Sequence, residues 1–274
     1  MVNWVVDTYI LDSRSTIGDL LGSIRNSGAN LFETKYIPLS EEQSYGPEEW
    51  IKEPTILYGT HGFVSKCKRG YTPGAYGISS NMNCNVYYSN IPNDWMLNSE
   101  FIFTTFHDLK QKPEKYFNML NTSRLFIRPN SGFKTFAGFV ITRSNALDEL
   151  SSTMQLTSVM PETFVLVARY QPLNGEFRFI IGDGEVIDGS EYRWDNILDI
   201  RHDWPQECWD LADRMAKHSW QPDLVYTCDV AQTELYGPKI VEINSFACAG
   251  LYACNKDKVV NAINRIAEKE FSGG

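Results

Sequence analysis

Two runs of alternating residues near the C-terminus carry the clearest pattern in the chain. Val225, Thr227, Asp229 and Ala231 alternate with Tyr226, Cys228 and Val230, and Ile240, Glu242 and Asn244 alternate with Val241 and Ile243. Alternation with a period of two is the signature of a strand. Between the runs lies a turn-like stretch, Thr233-Glu234-Leu235-Tyr236-Gly237-Pro238. The pattern predicts an antiparallel hairpin centred near Leu235 and Tyr236, with Asp229 opposite Glu242. Directly opposed residues have Cβ atoms ~4.5–5.5 Å apart, and a period of two puts Asn244 on the same face.

The rest of the chain reads as a mixture of strands and helices. Residues 4–11 form a first expected strand. A helix follows, with Ile17, Leu20, Leu21 and Ile24 at helical spacing and Gly28 closing it. Short strands are expected at residues 35–39 and 54–58, the second running into Gly59-Thr60-His61-Gly62. This βαβ-like opening predicts a small α/β domain over residues 1–105, followed by a larger unit over 106–274. Residues 70–98, rich in Gly, Asn, Ser, Tyr and Pro, read as irregular. A helix at 113–120 leads to a strand at 124–128, a polar loop at 129–138 and a strand at 139–142. Ser144 is placed to cap a helix over 145–154, and residues 164–170 form a strongly apolar strand. Strands at 177–181 and 185–190 flank Asp183-Gly184, a type I′ hairpin signal. A helix at 205–218 precedes the hairpin, and a closing helix carries Val259, Ile263 and Ile266. The fold class is α/β (α+β).

Composition narrows the classes of function. Hydrophobic residues at 43% and charged residues at 22% are ordinary for a globular chain. A net charge of −9 argues against an extended nucleic-acid surface, although a local basic cleft is compatible with it. No apolar run approaches the ~18–20 residues of a membrane helix. Met1 to Asp7 lack the basic and apolar regions of a signal peptide, so a cytoplasmic protein is expected. Six cysteines show neither C-x-x-C nor zinc spacing, and read as reduced, mostly buried thiols. Cys248 and Cys254 flank a turn just past the hairpin.

The candidate chemistry sits on the two hairpins and the polar loop. Asp229, Glu242 and Asn244 bring two carboxylates and an amide to one strand face with no Lys or Arg among them. Such groups repel unless a cation lies between them, and three hard oxygen ligands suit Mg²⁺ (or Mn²⁺) that also holds a phosphate. On the other hairpin, the Asp183-Gly184 turn puts Arg178 opposite Gly189 and Glu176 opposite Glu191. Glu176, Arg178, Glu191 and Arg193 then share one face, with Phe177, Phe179, Ile181 and Val186 on the other. A solvated face of cross-strand ion pairs is the plain alternative. Arg128-Pro129 followed by a Gly/Ser loop holding Lys134 is suited to covering a triphosphate, an ordinary hairpin being the alternative. No P-loop, G-x-S-x-G elbow, H-E-x-x-H or K-x-D-G motif occurs. His61, between Gly59 and Gly62, is either a substrate-cleft residue or a loop histidine without function.

Taken in order, these motifs resemble the ATP-grasp superfamily over about residues 106–274. The resemblance implies an ATP-grasp fold preceded by a short α/β domain. Arg128-Pro129 stands where these proteins usually carry Lys-Pro at the nucleotide, and Ser131-Gly132-Phe133-Lys134 matches the phosphate-covering loop. Val165 to Tyr170 matches the strand and hinge that hydrogen-bond adenine, which makes Val167, Ala168, Arg169 and Tyr170 cofactor-binding candidates. Gly175-Glu176-Phe177-Arg178 matches the element whose Glu takes the ribose hydroxyls. Asp229, Glu242 and Asn244 match the metal-binding set in type and spacing. The Arg178 and Arg193 pair also resembles the tubulin tyrosine ligase-like branch and a phage and bacterial clade of small ATP-grasp proteins. Thr227 stands where D-alanine ligase-like members carry an arginine, a role that would pass to Arg178 or Arg193.

The resemblance implies an ADP-forming ligase that uses ATP and Mg²⁺ to join a carboxylate to an amine or thiol through an acyl phosphate. Arg178, Arg193 and Lys134 are its catalytic candidates. The partners would be a small-molecule or peptide carboxylate and an amine acceptor. Two alternatives remain open: a kinase acting on a hydroxyl, and a non-catalytic nucleotide-binding regulator.

Overall fold

The computed structural model describes residues 1–10, 17–38, 40, 46–67, 74–195 and 197–273. The chain opens with β1 (Asn3–Asp7), α1 (Ile17–Asn26), β2 (Asn30–Thr34), β3 (Thr55–Tyr58) and α2 (His61–Cys67). β1 lies between β2 and β3 in a parallel sheet. Its five residues are all buried, because both faces are covered. Trp4 and Val6 pack with Leu20 and Ile24 of α1, whereas Val5 packs with Phe63 and Val64 of α2. Gly28, at φ +78°, ends the helical segment and returns the chain directly into β2. The second strand therefore occupies residues 30–34 rather than the expected 35–39; Leu39 and Leu11 lie outside the described residues. Tyr36 instead turns its ring edge-on to Phe63.

Residues 74–98 hold more structure than the expected irregular stretch, including a 3₁₀ turn at Ser80–Met82 and α3 (Cys84–Asn90); residues 70–73 lie outside the described residues. Tyr87 and Tyr88 are buried there, so the tyrosines that suggested a loop supply core instead. Then come β4 (Phe101–Thr105), α4 (Phe106–Gln111), α5 (Pro113–Met119), β5 (Arg124–Pro129), β6 (Phe139–Thr142), α6 (Ala146–Leu156) and β7 (Phe164–Arg169). These strands form an antiparallel sheet in the order β4-β7-β5-β6. Phe101–Thr105, which a boundary at residue 105 leaves with the N-terminal unit, is thus the edge strand of this second sheet. Asn145, not Ser144, is the cap residue of α6.

The third sheet is antiparallel: β8 (Gly175–Gly182), β9 (Glu185–Trp194), β10 (Ile197–Arg201), β11 (Val225–Thr233) and β12 (Gly237–Ser245) run in the order β10-β9-β8-β11-β12. α7 (Gln206–Ala216) covers one face, where Leu211 and Met215 meet Phe179, Ile181 and Tyr226. α8 (Lys256–Phe271) joins the third sheet to the first through Val259, Ile263, Ile180, Val225 and Trp4. No helix among the described residues is long and apolar enough to cross a membrane.

Asp183 and Gly184 both have positive φ, 49° and 81°, as a type I′ turn requires. The pairing beyond the turn departs from the expected register at two bulges. Arg178 pairs with Ser190 and Glu176 with Arg193, while Glu191 lies opposite Phe177. Each bulge inserts a residue and flips the face of all that follow until the next. Glu191 therefore leaves the face of Glu176 and Arg178, and Tyr192 joins it.

Candidate active site

The cleft of about 450 Å³ lies between the second and third sheets. From one side come Phe126 and Arg128 of β5, Val140 of β6 and Lys134 of the connecting loop; from the other come Glu176 and Arg178 of β8, Arg193 of β9, Asp229 of β11 and Glu242 of β12. Asp229 faces Glu242, as the alternation predicts. A bulge at this point makes Val241 an extra residue, since Val230 next pairs with Ile240. The Val241 carbonyl accepts a hydrogen bond from Arg128 Nη1 at 3.1 Å.

The two carboxylates are not bare. Arg178 grips Asp229 with a fork, Nε to Oδ1 at 2.8 Å and Nη2 to Oδ2 at 2.7 Å. Arg128 Nη2 and Lys134 Nζ each reach a Glu242 oxygen at 2.7 Å. The expectation of acidic groups with no cation among them holds along the two strands and fails in space, because β5 and its loop bring the charges across. Asn244 Nδ2 donates to Glu242 Oε1 at 2.9 Å and to Asp229 Oδ2 at 3.3 Å. Burial works to raise the Glu242 pKa, but Lys134 and Arg128 outweigh it and hold the carboxyl well below its usual range. Burial raises the Asp229 pKa, with Arg178 opposing.

The donors suit Mg²⁺ in kind. Their oxygens are hard, and the Asn244 contacts bring both carboxylates within reach of one point. An amide flip would turn the Asn244 oxygen to the same point. Among the described residues no three His, Cys, Asp or Glu side chains gather into a metal cluster, so Asn244 and phosphate or solvent oxygens would have to complete a six-fold shell.

Arg178 is a fixed post. Its Nη1 donates to the Gly250 carbonyl at 3.2 Å, and its guanidinium lies 5.1 Å from the Tyr252 ring and 5.6 Å from that of Tyr192. These two tyrosines stack on each other at 5.0 Å. Neither was singled out from sequence: Tyr192 reaches this face only through the bulge, and Tyr252 belongs to an irregular turn. Arg193 is freer, with its side chain 47% exposed and Nη1 3.0 Å from Glu176 Oε1. Glu176 Oε2 accepts from the Tyr192 hydroxyl at 2.8 Å.

Of the four adenine candidates, the structure brings Tyr170 to the cleft, with Gln171 and Leu173 beside it. Val167 and Ala168 are fully buried in a central strand whose backbone pairs with β4 on one side and β5 on the other. Arg169 turns away to Glu100, at 3.0 Å, and to the Leu120 carbonyl. Thr227 is fully buried.

A smaller pocket of about 140 Å³ adjoins the cleft, sharing Lys134 and Arg178 and adding His61, Gly132, Asn244 and Cys248. The carboxyl end of β1 positions His61. Asp7 Oδ2 accepts from Thr60 Oγ1 at 2.8 Å, and Gly59 sits so close that a Cβ there would lie 2.4 Å from that of Asp7. His61 Nδ1 is buried without a partner among the described residues. Burial, reinforced by Lys134, lowers its pKa and so favours the neutral imidazole. Of the two flagged cysteines, Cys248 lines this pocket, whereas burial pushes the Cys254 thiol up to about 12.

Comparison with known families decides what this architecture is: a family described as an ATP-grasp domain, the second family of its clade, matches residues 98–262. The chain belongs to the ATP-grasp superfamily. The matched segment of this ATP-grasp chain holds every nucleotide and metal candidate named above. Solved structures share the fold over nearly their whole length. D-cycloserine synthetase DcsG superposes with a TM-score of 0.68 at 11% identity, covering 98% of this chain and 99% of that one. D-alanine–D-alanine ligase from Bacillus anthracis, complexed with ATP, gives 0.60 at 13% identity, covering 100% and 99%. The ATP-grasp ligase PsnB, complexed with a minimal precursor, gives 0.58 at 12% identity, covering 96% and 97%. No curated protein sequence matches the chain.

Proposed function

We propose that this ATP-grasp protein is an ADP-forming ligase that couples a carboxylate to an amine or thiol through an acyl phosphate. One observation carries the reading: Arg128, Lys134 and Arg178 converge from two sheets on Asp229 and Glu242, beside a cleft large enough for a nucleotide. Three cations and an oxygen-donor set in one cleft match the needs of a triphosphate and its divalent ion. Solved ATP-grasp structures that include ATP, or Mg and ADP, give the same direction.

In this reading the base lies between Phe126, Val140 and Leu173, with its edge toward Tyr170 and Gln171, and Glu176 takes the ribose hydroxyls. Lys134, Arg128 and Arg193 hold the phosphates, and Lys134 leaves Glu242 to do so. Asp229, Glu242 and Asn244 would hold Mg²⁺ or Mn²⁺, which supplies charge neutralisation at the β- and γ-phosphates. Arg178, fixed by Asp229 and Gly250, faces both pockets and orients the carboxylate against the γ-phosphoryl group. The smaller pocket receives the reacting acid and the nucleophile. His61 there is placed to accept the proton that the amine nitrogen sheds as it attacks the acyl phosphate. The sheets and the 131–134 loop keep water from the acyl phosphate. The acid is a small molecule or the end of a peptide; D-cycloserine synthetase and PsnB illustrate both sizes within the fold. Consumption of ATP, and cysteines that form no disulfide among the described residues, fit work in the cytoplasm.

The test is product release. Purified protein with ATP and Mg²⁺ is screened against paired pools of carboxylates and amines, with ADP and phosphate as the readout. The reading requires release that depends on both pools. A phosphate ester formed without an amine would point to a kinase, and binding without turnover to a regulator.

A further inference from the structure

On the face of the third sheet that turns away from the cleft, another pocket of about 370 Å³ opens beside the edge strand β10. Phe177, Trp194, Trp204 and Glu191 line it, with Asp203 and Arg201 beside them. The register bulge delivers Glu191 to this face, opposite Phe177. Glu191 is 5% exposed, and its Oε1 is buried with no partner among the described residues. A buried carboxylate oxygen without a donor is costly and calls for one.

The neighbouring charges do not supply it. Arg201 pairs with Asp199 through Nε, at 2.9 Å, and through Nη2. His202 Nε2 is held by Asp188 at 3.1 Å. Asp203 accepts the Trp204 backbone N–H at 2.9 Å and, with Asp199, adds negative charge. Burial and these two carboxylates raise the Glu191 pKa, with Arg201 opposing. The walls are aromatic and fixed: Trp204 stacks on Trp209 at 5.4 Å and meets Phe179 edge-on at 6.1 Å. Ile197, 70% exposed, pairs with Trp194, 42% exposed, so the two extend an apolar path outward on the same face.

We propose that this pocket binds an alkylammonium group, its charge on Glu191 and its carbon chain along Trp194 and Ile197. A cationic N–H donor satisfies the carboxylate, and the indole faces add cation–π attraction. A free amine and a peptide lysine side chain present the same chemistry. The site is separate from the nucleotide cleft, because Phe177 and Glu191 point opposite to Glu176 and Arg178.

Tryptophan fluorescence of the full chain, titrated with n-butylammonium, with N-acetyl-lysine methylamide and with n-pentanol, tests the proposal. Both cations should saturate the signal and the neutral alcohol should not. Glu191→Gln should weaken the cations about ten-fold, the scale of one charge-assisted hydrogen bond, while ATP binding stays unchanged. Trp194→Ala, at a half-exposed position, should weaken them while the protein stays folded. Tighter binding of the lysine derivative assigns a peptide ligand, and tighter binding of butylammonium assigns a free amine. An equal response to pentanol, failure of both cations to saturate, or an unchanged titration in Glu191→Gln with its fold intact would overturn the site.

Discussion

Glu242 is both a proposed metal ligand and the counter-charge of two cations, so Glu242→Gln separates repulsion from pairing. Strand alternation alone puts Glu242 against Asp229, and on that basis loss of its charge relieves a clash. The structure reverses the sign. Arg128, 8% exposed, has its Nη2 on Glu242 at 2.7 Å, and Lys134 holds the other oxygen. Removing one partner of a buried pair costs about 3–5 kcal/mol. Glutamine keeps one acceptor but turns an N–H₂ toward a cation, so we expect about 2–3 kcal/mol, or roughly 5–10 °C in Tm for a chain of this size. The assay is calorimetric unfolding of the ligand-free protein, followed by ATP turnover with Mg²⁺. Turnover should fall about 10²-fold, the scale of a lost electrostatic contact in a dry site. An unchanged or raised Tm would refute the pairing argument, and undiminished turnover would refute the metal assignment.

Three further outcomes are expected. The Tm gap between wild type and Glu242→Gln should narrow as pH falls from 7 toward 3: the folded Glu242 pKa lies below its unfolded value near 4.5, so its stabilisation is complete above that value and lost on descent toward the folded pKa; a constant gap would contradict the depressed pKa. Arg178→Lys should lower turnover more than ten-fold, on the scale of the ~1.5–3 kcal/mol lost with a charge-assisted hydrogen bond, because a point charge cannot reproduce the fork on fully buried Asp229; Arg201→Lys, on an exposed pair, is the control, and equal effects would remove the fork from the argument. Gly59→Ala should destabilise by about 1–3 kcal/mol and raise KM for the acid by displacing His61, since its Cβ would overlap that of Asp7; wild-type stability and KM would show that the loop yields freely.

How far sequence reached into this site depended on distance along the chain. The β11–β12 hairpin was readable because turn residues and alternation lie within twenty residues of each other. Its bulge was not, and with it went the Val241 carbonyl that receives Arg128. At β8–β9 the Asp183-Gly184 turn fixed the first pairs, but Ile187 and Tyr192 are residues any strand accepts, so nothing marked them as insertions. Glu191 and Tyr192 consequently exchanged faces relative to expectation. The convergence of Arg128 and Lys134 on Glu242 spans more than a hundred residues and had no local signal. Val165 to Ala168 did carry one: an unbroken apolar run marks a strand buried on both faces, which leaves Tyr170 and the residues after it to line the cleft.

The most direct measurement is hydroxylamine trapping. Protein, ATP and Mg²⁺ are incubated with carboxylate pools while hydroxylamine replaces the natural amine, and nucleotide products and hydroxamates are quantified together. An acyl-phosphate ligase gives ADP, phosphate and hydroxamate in equal amounts. AMP with pyrophosphate, or a phosphate ester that survives hydroxylamine, would contradict the proposed chemistry.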